Sequence, residues 1–290
     1  MSAASFSLKT PASPATPSAG STNALISYAA AWLRTLHRVN PVLSWAGWLN
    51  VGLLAVALVL LPLDTRLVTG SLVWIKPLKF CVSIIAFLWT LGWLLADLPA
   101  QAQRAVRLLS WGVAVSMSAE QAAIFVQAAR GTTSHFNNAT ALDGALFALM
   151  GVMILLNTLL TVWAVYLVWR HRPHGPAGYV WGVRLGLLLF LAGSILGGMM
   201  IHLNQHTVGA PDGGAGLPGI GWSTRAGDLR IAHFLGLHSL QALPLLGWWL
   251  SRRLPRRAVL LTWLGAAAYA GLVALLFAQA MQGVPLLAIR

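Results

Sequence analysis

An otherwise apolar run, RIAHFLGLHSLQALPLL at residues 230–246, is interrupted by Arg230, His233, His238 and Gln241. These side chains bind anions, ligate metals or carry protons, and none is stable in hydrocarbon without a partner. Upstream, SMSAEQAAIFVQAAR places Ser116, Glu120, Gln127 and Arg130 at intervals of 4, 7 and 3, along one stripe of a helix. Glu120 is the one acid well inside an apolar stretch. An ionisable group there is costly unless paired, protonated or wet, which makes it the first candidate for proton chemistry. Counting about 1.5 Å per residue, Glu120 lies about 12 Å below residue 128 and His238 about 13 Å below residue 229. The matched depths make Glu120 and His238 the expected catalytic or proton-exchanging pair.

The stretch GSILGGMMIHLNQH contains His202 and His206, four residues apart and on one face if the helix continues that far. Such a pair can chelate a divalent metal, with His135, His233 or Asp228 completing the shell. Histidines from two neighbouring helices also suit a haem b. Its axial ligands would come from His202, His233 and His238, and its propionates would meet Arg130, Arg230, Lys76 or Lys79. His233 and His238, about 140° apart around a helix, do not serve one small ion together. The structural alternative is interhelical or headgroup hydrogen bonding, and for Lys76 and Lys79 snorkelling to the interface. Gly197 and Gly198 permit close approach of another helix, and Pro244 frees a backbone carbonyl.

These residues are positioned by helices in a bilayer. The chain of 290 residues is 58% hydrophobic and only 9% charged, against about 25% charged in soluble domains. Seven stretches have the length a bilayer requires: 41–63, 78–97, 105–128, 144–169, 180–203, 229–250 and 258–283. Continuous runs, rather than short alternating ones, select helices over a barrel. The expected fold is an all-α integral membrane bundle of about seven spans over 41–283.

Loop charge sets the orientation. On one side lie Lys9, Arg34, Arg38, Arg104, Arg107, Arg170, Arg172, Arg184, Arg252, Arg253, Arg256 and Arg257. On the other lie Arg66, Lys76, Lys79, Arg130, Arg225, Arg230 and Arg290. Twelve against seven predicts an N-terminus inside and a C-terminus outside. The same clustering in short loops argues against nucleic acid as the partner of this basic chain, leaving the lipid bilayer and a small-molecule or ion ligand. Tryptophans such as Trp45, Trp48, Trp74, Trp169, Trp181, Trp248 and Trp249 sit near span ends, as an aromatic belt.

Residues 1–23, rich in Ser, Ala, Pro and Thr, are expected to be a disordered cytoplasmic tail, 24–40 an amphipathic or lead-in helix, and 284–290 a short C-terminal tail. The Gly-rich connection 204–228 is long enough to be a lid or a mobile loop. The lone Cys81 excludes an intramolecular disulfide. No G-x-S-x-G, P-loop, dinucleotide fingerprint or H-E-x-x-H is present, so no motif names an enzyme class.

GWSTRAGDLRIAHFLGLHSLQALPLL together with AARGTTSHFN resembles a pattern in uncharacterised bacterial multi-span inner-membrane proteins. The resemblance implies an inner-membrane location and brings no activity. Seven spans with H-x3-H are also found in ceramidase and adiponectin-receptor hydrolases, but their Ser-x3-His in an early span has no counterpart here. Three functions fit the residues: a haem- or metal-binding, redox-active protein; a cofactor-free transporter or proton-coupled sensor using Glu120 and His238; and a scaffold whose polar groups only join helices.

Overall fold

The computed structural model describes residues 22–288. Eight helices succeed one another there: α1 Thr22–Val39, α2 Pro41–Leu63, α3 Ile75–Ala96, α4 Gln103–Arg130, α5 Ala141–Arg170, α6 Ala177–Leu203, α7 Leu229–Arg253 and α8 Ala258–Met281. The expected tail falls outside the described residues as far as residue 21, and Thr22 and Asn23 already belong to α1. The seven apolar stretches coincide with α2 to α8, their ends differing by three residues at most (78 against 75 for α3). Six helices, α2 to α6 and α8, are long and apolar enough to cross a bilayer, which makes the chain a multi-pass membrane protein. The exception is α7, whose 25 residues include Arg230, His233, His238, Gln241, Arg252 and Arg253.

The boundaries follow from local chemistry. Pro41 disfavours a helical conformation at Asn40, whose φ of −144° separates α1 from α2. Asn40 then caps α2 by accepting from the Leu43 amide at 3.2 Å and donates to Ser110 Oγ of α4 at 2.9 Å. One buried residue thus ends a helix, starts the next and ties both to a third. At the far end of α4, Gly131 adopts φ +72°, and the Thr132 amide closes back on the Gln127 carbonyl at 3.1 Å. This left-handed cap releases the chain sideways over the bundle.

The connections 64–74, 131–140 and 204–228 meet at one end of the bundle, the lid end. Arg66 donates to the Ala129 carbonyl across this end, and Lys79 reaches the Ile220 carbonyl. A hairpin of β1 (Leu67–Val68) and β2 (Ser71–Leu72) brings Thr69 against Gly213. Segment 204–228 is closed at its base by β3 (Thr207–Val208) paired with β4 (Gly227–Asp228). A smaller loop within it is bridged between Gly216 and Ser223. At the opposite end, the His174 amide donates to the Asp97 carbonyl.

The tightest packing joins α6 to α7. Gly178, Gly182, Gly186 and Gly193 of α6 meet the backbone of α7 at Gly247, Leu243–Pro244, Ser239 and Gly236. A Cβ on Gly182 would stand 2.3 Å from the Leu243 carbonyl oxygen. Small residues at helical spacing allow this approach, and van der Waals packing and hydrogen bonds then hold helices that lipid does not drive together. Ser239 Oγ donates across the seam to the Gly186 carbonyl at 2.9 Å, and Tyr269 of α8 donates to the Leu235 carbonyl at 2.7 Å.

Candidate functional site

A buried acid at the lid end faces a histidine from a neighbouring loop. Glu120, in the second half of α4, is only 5% exposed, and its Oε1 lies 3.6 Å from His135 Nε2. The other carboxylate oxygen, Oε2, is buried with no hydrogen-bond partner among the described residues. An unsatisfied buried oxygen on an ionisable group costs stability.

His135 belongs to the turn after the Gly131 cap. Asn137 organises that turn: its Nδ2 donates to Thr132 Oγ1 and the Thr133 carbonyl, while its Oδ1 accepts from the Ala139 amide. The imidazole is therefore directed back into the bundle, among Phe80, Phe136 and Phe147. Lys76 Nζ and Ser134 Oγ each lie 3.1 Å from His135 Nδ1. An ammonium only donates, so Nδ1 accepts and the ring proton sits on Nε2, facing Glu120. Burial pushes the His135 imidazole well below its ordinary pKa, and the nearby Lys76 ammonium pushes the same way. It is neutral at physiological pH. The result is a polar chain from Lys76 through His135 to Glu120, joining α3, the α4–α5 turn and α4.

Segment 204–228 covers this chain and is anchored by charge. Asp212 accepts from the His206 and Thr207 amides, and its Oδ1 lies 3.0 Å from His206 Nδ1. Burial alone would raise the Asp212 pKa, but the bonds from His206 and Thr207 outweigh it and hold the carboxyl at about 2. Lys79 donates to the Ile220 carbonyl at 2.9 Å and Arg230 to the neighbouring Gly221 carbonyl at 2.6 Å. Two cations thus clasp adjacent carbonyls at the tip of the covering loop. Neither Lys76 nor Lys79 has a carboxylate within ion-pair distance among the described residues.

Other residues singled out in the sequence are placed elsewhere. Glu120 and His238 do not form the expected pair. His238 Nδ1 lies 3.2 Å from Gln241 Oε1, its ring packs on Phe234, and Gln241 donates to Thr90 Oγ1 of α3. His233 Nδ1 donates to the Gly193 carbonyl at 2.8 Å, with its ring against Gly197. His233 and Gln241 therefore bond neighbouring helices, and His238 is held within α7 by Gln241 and Phe234. Gln127 and Arg130 both bond Asp143, which is also the residue capped by Thr140, so they fasten α4 to α5.

The cofactor geometries do not assemble. α6 ends at Leu203, where Asn204 turns left-handed at φ 53°, so His202 and His206 do not share a helical face. His202 is exposed, and His206 is occupied by Asp212. The Asp228 carboxylate is engaged by Arg230 and the Ser223 amide. Among the described residues no three His, Cys, Asp or Glu side chains are grouped to hold a metal ion. A macrocycle ligated from both α6 and α7 would have to part backbones that already touch along the glycine seam. Of the proposed propionate partners, Arg130 and Arg230 are paired with acids, and Lys76 and Lys79 face His135 and the covering loop.

Two buried residues beside His135, Asn137 and Ser134, were not among the expected site residues, since a loop asparagine or serine carries no periodic signal. The fold and the cluster define a multi-pass membrane protein with a buried Lys–His–Glu chain beneath a loop. Compared with known protein families, curated proteins and solved structures, the chain matches none of them, in keeping with a resemblance that carries no activity over.

Proposed function

We propose that the chain is a seven-span protein of the bacterial inner membrane, N-terminus inside, that takes up a proton at an outward-facing pocket and acts as a proton-coupled transporter or sensor. The observation that carries this reading is the buried Glu120 carboxylate, with one oxygen unpartnered and the other 3.6 Å from His135. That gap is longer than a hydrogen bond, and a closing movement of well under 1 Å brings it within range. His135 can then accept a proton from Lys76 at Nδ1 and release one from Nε2 to Glu120. This exchanges the charged pair Lys76/Glu120 for a neutral one, with the imidazole restored in its other tautomer.

The orientation rests on the arginine-rich loops at the opposite end, which favour the cytoplasm. As the seventh span, α7 is sheltered by α6 and α8, and its polar residues are bonded to helices rather than to lipid. The unpaired Lys76 and Lys79 give the pocket a positive sign and favour an anionic ligand entering with the proton. Access would require Lys79 and Arg230 to release the loop carbonyls.

The test is difference infrared spectroscopy of the full chain in lipid nanodiscs, titrated over about pH 4 to 9. A protonated-carboxyl band that titrates in the wild type, vanishes in Glu120→Gln and changes its midpoint in His135→Gln supports the proposal. An identical titration in Glu120→Gln would remove Glu120 as the proton acceptor.

A further inference from the structure

At the end of the bundle away from Glu120, two arginines border a cleft and have no acid beside them. Arg172 follows α5, and Arg184 stands seven residues into α6 from Ala177, about 10 Å along the helix. The Arg184 guanidinium lies over the rings of Trp169 and Trp181 at 5.1 and 5.3 Å, and Trp181 packs on Trp263 of α8 at 4.9 Å. Its only hydrogen bond within the described residues is a long one, 3.4 Å, from Nε to the Val168 carbonyl. Among those residues neither Arg172 nor Arg184 has a carboxylate within 4.0 Å. With Ala177, Val180 and Trp181 they line a cleft of about 270 Å³.

Each feature narrows the ligand. The guanidinium packs against two rings, Trp169 and Trp181, that meet edge to face at 82°, and its remaining N–H groups are free to bind a phosphate through paired bonds. The cleft is smaller than a drug-sized pocket, yet roomy enough for a phosphate and its ester. Its apolar wall and the tryptophan belt put it at headgroup depth, where a basic pocket between helices meets lipid. Arg252 also lies over a tryptophan, Trp248 at 4.1 Å, but does not line this cleft. We propose that Arg184 and Arg172 form a binding site for the phosphate of an anionic phospholipid from the adjoining leaflet, with Trp169 and Trp181 packed against the Arg184 guanidinium.

The test is native mass spectrometry of the full chain in detergent, titrated separately with phosphatidylglycerol, phosphatidylcholine and inorganic phosphate. One tightly retained phosphatidylglycerol per chain is expected, with affinity falling at least tenfold in Arg184→Gln. It should be unchanged in the double variant Arg256→Gln/Arg257→Gln, which removes charge at the same end but outside the cleft. Arg184→Lys, which keeps the charge and loses the planar fork, should fall between. If Arg184→Gln does not fold, Arg172→Gln serves instead, and an undiminished affinity there overturns the two-arginine site. Equal retention of phosphatidylcholine, which carries the same phosphate with a compensating cation, overturns the assignment to an anionic lipid, and displacement by equimolar inorganic phosphate overturns the lipid as its source.

Discussion

Substituting Gly182 by alanine tests the α6–α7 seam, and with it the placing of His233 and Ser239 as interhelical donors. The new Cβ would sit 2.3 Å from the Leu243 carbonyl oxygen and 2.9 Å from its carbon, against ordinary contacts from 3.4 Å upward. The obstacle is backbone, so no rotamer change relieves it, and the helices must part locally by about 1 Å. A shift of that size would stretch the Ser239–Gly186 bond from 2.9 Å and the His233–Gly193 bond from 2.8 Å beyond useful length. Overpacking costs about 1–3 kcal/mol, and the loss of two membrane hydrogen bonds adds about 0.6 kcal/mol each. The gain in helix propensity offsets about 0.5–1 kcal/mol. A net destabilisation of about 1–4 kcal/mol is expected. Reversible unfolding in mixed micelles measures it, with Gly151→Ala and Gly271→Ala as controls, since nothing lies within 4 Å of either Cβ. Those controls should be neutral or stabilised by up to about 1 kcal/mol. A Gly182→Ala protein as stable as Gly151→Ala would refute the close seam.

Three further outcomes are expected. The folded-state pKa of His135 lies well below its unfolded value of about 6.5. As pH falls from there, the unfolded chain binds a proton that the folded chain refuses, so stability declines towards the folded pKa. His135→Gln should flatten that part of the curve in thermal melts, and an unaltered slope would show that the imidazole is not held neutral. Asp212, held at about 2 in the folded protein against about 3.9 unfolded, contributes stability above pH 4 that is lost as pH falls through its folded value. Asp212→Asn should expose segment 204–228 to protease at neutral pH, and wild-type resistance in the variant would show that Asp212 does not anchor the loop. Asn40→Ala removes the α2 cap and strands Ser110, at a cost of about 1–2 kcal/mol in the same unfolding assay. A smaller effect than at an exposed cap would mean that the tie to α4 contributes nothing.

The helices were legible because lipid imposes a one-dimensional rule: about 20 apolar residues in a row, ended by charge, proline or glycine. What a polar side chain inside such a run touches is three-dimensional, and a one-dimensional pattern does not carry it. His233, His238 and Gln241 have the residue types of a cofactor site, yet each bonds a neighbouring helix or a residue that does. Polar residues on α7 and glycines on α6 are two halves of one interface. The spacing of Gly178, Gly182 and Gly186 was visible in AGYVWGVRLG, but its meaning depended on which helix lay opposite. Depth matching could bring Glu120 level with His238, but it had no way to see that a ten-residue turn, shaped by Asn137, folds His135 back over the same acid. A loop histidine carries no periodicity, so its inward direction is set by turn hydrogen bonds alone. The neighbour of Glu120, the acid that hydrocarbon could least tolerate, is therefore a loop residue rather than one borne on a facing helix.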